Sequence, residues 1–317
     1  MSADLSETLD YLRSPAAHAS LDANVYWSKW ASPWWRLSLL YEMGEIRQAP
    51  AAIIEHLVEA LAKSPLTIFP IHPHELPSGA DPYLATHCHC ALGNIYQVLS
   101  AWGVDVDASL PWIRAWFLRY QMADGGMNCD EGAYLVEGEC PSSMVAIISP
   151  FEAVVRYTRR PYTSEELRFL EKAAGFLIGR TLNQGSNTLY NAAEQKSAQA
   201  WPALCFPRFY LYDTLRGLRA LLEWADKLGA KVPRAAVQPV VDDLRSRFPD
   251  GQIRLGRRSY AGVGTRRQNE QGAWVRTPEA DSFPLLQAVS AVGEVSPYLS
   301  ADWATLQPLL TKVVEAH

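Results

Sequence analysis

The chain has 317 residues, 48% of them hydrophobic, and a formal net charge of -5. That suffices for a large core, and the acidic balance argues against a general nucleic-acid binder. No apolar run reaches the ~18 residues of a membrane helix, and residues 1–4 lack a basic region followed by an apolar stretch, so neither a membrane span nor a secretory signal is expected.

Residues 5–12 read as a short helix. A longer one is expected over 26–43, with Trp27, Trp30 and Trp34 on one face at i, i+3 and i+7 and Gly44 as its stop. Ile53, Ile54, Leu57, Val58 and Leu61 have helical spacing and set a helix over 51–62. Pro65, Pro70, Pro73 and Pro77 make the next stretch irregular. A third long helix is expected over 83–102, closed by Gly103, with Leu84, Cys88, Ala91, Ile95 and Val98 as its apolar stripe. Pro111 opens an amphipathic helix to Tyr120, which runs into the tight reversal Asp124-Gly125-Gly126. A helix over 142–157 follows. Thr163-Ser164-Glu165-Glu166 is a capping box for another helix, running to about Leu182. Helices over 209–228, stopped by Gly229, and over 235–247 come next. The loop over 251–280 is about 30 residues, a length that points to function or disorder. Helices over 283–292 and 302–314 end the chain. Strand-like alternation is scarce, so the chain reads as all-α.

Asp124-Gly125, Gln184-Gly185-Ser186 and Asp250-Gly251 punctuate helices at a spacing of about 60 to 65 residues, a repeat signal. Longer, more aromatic helices close at Gly44, Gly103, Gly229 and Gly293, with Tyr157-Thr158 in the remaining slot. Five or six hairpins of two unequal helices follow. No polar-capped end repeat is visible, which favours a closed ring over an open solenoid. The expectation is one domain over 1–317, a single (α/α)5-6 toroid of helical hairpins with an aromatic-lined central cavity.

Gln121-x-x-x-Gly125-x-Met127 resembles the QW motif of squalene/hopene cyclases and the α/α-toroid protein prenyltransferases. The segment Cys205 to Leu218 is similar to an inner-helix segment of squalene-cyclase-like bacterial proteins. The resemblance implies the toroid, with the glycine turn tying outer helices together. Met127 stands where the motif usually has an aromatic ring. The Asp-x-Asp-Asp protonation motif of class II cyclases is missing, and Asp105-Val106-Asp107 falls at a helix tail. There is room for one toroid, not two, so hopene-type polycyclisation is not expected.

His87-Cys88-His89-Cys90 is the densest reactive cluster. On one continuous helix the four could not face one point, and Cys88 would join the apolar core. A zinc site could draw on His87, His89, Cys129 and Asp130, with Cys140 also in reach. The protein prenyltransferases bind zinc through an Asp/Cys/His set, and no spacing here maps onto it. Without metal, His87, His89, Cys90, Cys129 and Asp130 offer acid–base and nucleophilic chemistry. Asp213, among Phe209, Tyr210 and Tyr212, is either a buried proton donor or an ion-pair partner of Arg208 or Arg216. Asp281 reads as an N-cap, and the arginines of 251–280 as a solvated loop or an anion clamp. Five cysteines, an odd count without a framework spacing, suit a reduced, cytoplasmic protein.

With eleven Trp and fourteen Tyr, the expected function is an enzyme on an isoprenoid-like or other apolar small molecule. It would act by acid-initiated cyclisation, isomerisation or dehydration, with Trp27, Trp30, Trp34, Phe209, Tyr210, Tyr212 and Phe283 facing the guest. A carbohydrate-active toroid with paired carboxylates and a non-catalytic binding protein are the alternatives. Oligomeric state stays open.

Overall fold

The computed structural model describes residues 3–85 and 87–315. Residues 1 and 2 of the N-terminal reading, and Thr86 within the helix expected over 83–102, lie outside them. The helices in chain order are α1 (Ala3–Arg13), α2 (Pro15–Ala23), α3 (Pro33–Glu42), α4 (Ala51–Ala62), α5 (Pro82–Ala85), α6 (His89–Trp102), α7 (Val106–Ser109), α8 (Pro111–Arg119), α9 (Met144–Tyr157), α10 (Ser164–Gly179), α11 (Ala193–Ala198), α12 (Thr214–Leu228), α13 (Arg234–Arg247), α14 (Pro284–Val289) and α15 (Pro297–Val313). One antiparallel hairpin, β1 (Thr265–Gln268) and β2 (Trp274–Thr277), interrupts the expected loop. Among the described residues, no helix is long and apolar enough to cross a membrane.

α4 forms where the periodicity places it and buries Ile53, Ile54, Leu57 and Leu61, each worth roughly 1.5–3 kcal/mol over exposure. α10 starts at the predicted capping box: Thr163 Oγ1 accepts from the Glu166 amide, and a Glu166 carboxylate oxygen accepts from the Thr163 amide. The helices closed by Gly44, Gly103 and Gly229 end as expected, each glycine at positive φ.

Three expected helices start later than periodicity suggested. Residues 26–32 are irregular and α3 begins at Pro33, because Asn24 turns the chain by accepting from the Tyr26 and Trp27 amides and Trp30 takes a left-handed backbone (φ 71°). The helix over 83–102 is two pieces, α5 and α6, with Cys88 an extended N-cap (φ -110°, ψ 162°). Phe209 is also left-handed (φ 54°), so α12 begins at Thr214 with Asp213 as its N-cap rather than one turn inside.

The helices α3, α6, α9, α12 and α15 pack successively against one another, and α1 meets α14. Arg36 of α3 lies between the Tyr11 ring of α1 and the Phe283 ring just before α14, 4.0 and 4.2 Å from their centroids. The closest approach is α6 on α9. A Cβ on Gly93 would stand 2.3 Å from the Pro150 nitrogen, so only glycine allows it. Gln121 donates to the Gly125 carbonyl at 3.0 Å and to the Phe169 carbonyl of α10 at 2.8 Å, which joins α8 to α10 through the glycine turn.

A polar seam runs between the central helices. Ser38 donates to Asn94, Gln97 to Glu152, and Arg216 to Glu152 and to the Phe209 carbonyl. Two cavities lie near this seam: Tyr210 accepts from Lys29, which lines one, and Phe206, Arg208 and Phe209 line the other. One is lined by Tyr26, Trp27, Lys29 and Cys88, from the leads into α3 and α6. The other is lined by Glu42, Glu152, Arg156, Arg208 and Arg216, at or beyond the middles of α3 and α9 and at the start of α12.

Candidate functional site

The first cavity has a volume of about 610 Å³. Tyr26, Trp27, Phe69, Ile71, Leu76 and Tyr83 give it mostly apolar walls, and Cys88 and Cys129 open onto it. Trp27 is fixed by an indole N–H to the Tyr83 carbonyl at 2.8 Å.

Three sulfurs converge there. Cys88 Sγ is 3.1 Å from Cys90 Sγ, Cys129 Sγ is 3.5 Å from Cys90 Sγ, and all three lie within 4.8 Å of one another. Two features of the chain bring them together. Cys88 is extended while Cys90 is already helical, so side chains two apart converge instead of diverging. Cys129 arrives from the loop after the glycine turn, where the Asn128 side chain holds the Pro141 carbonyl and accepts from the Asp130 amide. Hydrogen bonds from the Cys129 and Cys90 thiols hold the Cys88 thiol well below its ordinary pKa, with burial opposing. Those same bonds, with burial, push Cys90 up, and Cys129 is raised as well. Cys90 lies in the first turn of α6, and a helix N-terminus favours negative charge on sulfur there. Thiolate sulfur in a set of three suits a thiophilic ion such as zinc and leaves a fourth position.

The residues singled out in the sequence divide. Of the expected zinc set, only Cys129 belongs to the cluster. His89 Nδ1 accepts from Trp116 Nε1 at 2.6 Å, which places the ring proton on Nε2, 2.9 Å from the Tyr134 hydroxyl. Tyr134 in turn donates to the Tyr120 carbonyl, so both His89 nitrogens are engaged. His87 Nε2 faces the Ser64 hydroxyl at 3.1 Å. Burial lowers both histidines to about 4, so both are neutral at pH 7. Asp130 stands at the rim and accepts from the Gly132 amide and the Tyr190 hydroxyl. Cys140 lies beside Ser142 instead, 3.7 Å away.

Asp213 is fully buried, capping α12 through the Arg216 amide and accepting from Arg208 Nε at 3.0 Å. Of the two readings of Asp213, the ion pair is the one present. Trp30 and Trp34 are fully buried, and Trp27 alone of the three lines the cavity. Phe209 stacks on Trp30 at 4.8 Å, and Tyr210 accepts from Lys29. The Tyr212 hydroxyl donates to the Leu182 carbonyl, and Phe283 packs under Arg36. Asp281 pairs with Arg267 at 2.5 Å rather than capping α14, whose N-cap is Phe283.

Sequence reasoning missed Lys29, Tyr26, Phe69 and Tyr134, and assigned Cys88 to the core. The weak helix formers at 86–88 were the available sign that the helix breaks before Cys88. Set against protein-family models, curated proteins and solved structures, the chain matches none.

Proposed function

We propose that the chain is an enzyme of toroid type acting on an apolar, isoprenoid-sized small molecule in the 610 Å³ cavity, with a zinc-type ion held by Cys88, Cys90 and Cys129. The ring is supported by the successive packing of α3, α6, α9, α12 and α15 and by the contact of α1 with α14. The observation that carries the chemistry is the convergence of three sulfurs at the wall of an aromatic cavity.

Acid initiation is the weaker route. Asp213 is committed to Arg208 and to its helix cap, and neutral His87 and His89 hold no spare proton for a substrate. A bound ion supplies Lewis acidity toward an oxygen or sulfur function, the role a proton would otherwise play in isomerisation or dehydration. The chain does the rest. Trp27, Phe69 and Tyr83 bury the guest and exclude water. The bonds of His89 with Trp116 and Tyr134 fix the start of α6, and with it Cys90.

The test is metal content. Reduced protein is expected to take up zinc or cadmium at about one ion per chain, and C88S, C90S and C129S each to lose it while staying folded. Wild-type protein that takes up neither ion ends this reading.

A further inference from the structure

Lys29 lies in the lead into α3, and its ammonium has no carboxylate within ion-pair distance among the described residues. Its Nζ donates to the Tyr210 hydroxyl at 2.9 Å. Four ring centroids surround it: Tyr210 at 5.1 Å, Trp27 at 5.5 Å, Tyr26 at 5.6 Å and Trp30 at 5.9 Å. Its backbone amide is fixed by Thr265 Oγ1 at 2.7 Å. It lines the same cavity as Cys88 and Cys129.

The placement is bought with strained backbone on both sides. Trp30, next to Lys29, and Phe209, next to Tyr210, are both left-handed, and their rings stack on each other. Such residues persist where the surroundings over-determine them. Here they hold one cation against one face of a thiol cavity.

We infer that Lys29 is the fixed counter-charge of the three-sulfur site and tunes it to a divalent rather than a trivalent thiophilic ion. The inference rests on the metal reading above. Three thiolates and a divalent ion leave one negative charge, which one ammonium cancels. A trivalent centre with three thiolates is already neutral and gains nothing from the lysine. His89 is engaged by Trp116 and Tyr134 and His87 faces Ser64, while Asp130 and Glu131 stand at the exposed rim, where solvent screens them. Among the described residues that line the cavity, Lys29 is the one lysine or arginine. Burial opposes its charge, but Tyr210 above all, and Cys88 and Cys90 after it, raise its pKa, so it is charged at neutral pH.

The experiment compares ions of different charge on wild-type, K29M and K29R proteins, reduced and shown folded by circular dichroism. Cadmium is followed by its thiolate charge-transfer absorbance, zinc by chelator competition. Arsenite is the neutral control: As(OH)3 and three thiols exchange three As–O for three As–S bonds, releasing three waters without redox change. K29M is expected to weaken cadmium and zinc by roughly 10- to 100-fold, to leave arsenite within about threefold, and K29R to restore the divalent ions. Equal losses of cadmium and arsenite, or no loss of cadmium, overturn the inference while the metal reading stands. Wild-type protein that binds neither cadmium nor zinc overturns the metal reading and the inference with it.

Discussion

The arginine-lined and thiol-lined cavities are built on opposite principles. In the arginine-lined one every cation is matched. Arg208 pairs with Asp213 and Asp302, Arg216 with Glu152, Arg156 with Glu152 and Glu223, and Arg219 with Glu223 and Asp302. In the thiol-lined one the ammonium of Lys29 meets only rings and a phenol among the described residues, and three sulfurs face each other. A network whose charges already answer one another holds helices in place. A cavity whose groups are left incomplete is arranged for something that completes them. Size alone would not separate the two, since both are large enough for a small guest.

Four changes would break or sharpen that contrast. The largest effect is expected at the close contact of α6 with α9. G93V forces α6 off Pro150 of α9 and should cost upwards of ~3 kcal/mol in denaturant unfolding, or prevent folding. Next is E152Q in the matched cavity. It leaves Arg216 and Arg156 short of a buried partner and should lower stability by roughly 3 kcal/mol, while cadmium uptake by the three cysteines is unchanged. A stability-neutral E152Q would show that the paired cavity is not structural.

Acid titration comes third and has a definite sign. Glu152 is lowered to about 2, because Arg156 and Arg216 outweigh the burial that would raise it. Its contribution is present above the unfolded value and is lost as pH falls from about 4.5 toward 2. His87 and His89, depressed by burial to about 4, contribute stability above their ordinary 6.5 and lose it between there and 4. Glu42 is raised by burial to about 7, against Arg208 and Arg216, and runs the other way: its contribution is full below 4.5 and fades as pH rises to 7. The midpoint of urea unfolding should therefore fall from pH 6.5 to 4, and E42Q should flatten the opposing rise on that limb. The smallest effect is expected from C140S. Its sulfur is outside the cluster, so metal uptake should match wild type and stability should change by less than about 1 kcal/mol.

The helical class, α4, the capping box of α10 and the glycine stops were legible because each depends on residues within a few positions of one another. The glycine turn was legible too, down to Gln121, although its bond to Phe169 needs the fold. The helix starts were not. Periodicity cannot distinguish a helix from an apolar stretch that packs in irregular form, and the left-handed Trp30 and Phe209 are set by stacking across the chain. That error carried straight into the site. Placed on one continuous helix, Cys88 and Cys90 point roughly 200° apart, and the cluster is invisible. Asp213 was placed one turn inside a helix for the same reason, so its role as a cap was missed, although its pairing with Arg208 was one of its two readings.

Residues 206–210 give the molecule a short internal strut. Tyr210 grips Lys29, while the Glu42 carboxylate accepts from the Arg208 and Phe209 amides just before it. A guest that pushes on the ammonium leans on the same few peptide units that keep Glu42 in place. Proton occupancy at that carboxyl should therefore report, by spectroscopy, on whether the far chamber is filled.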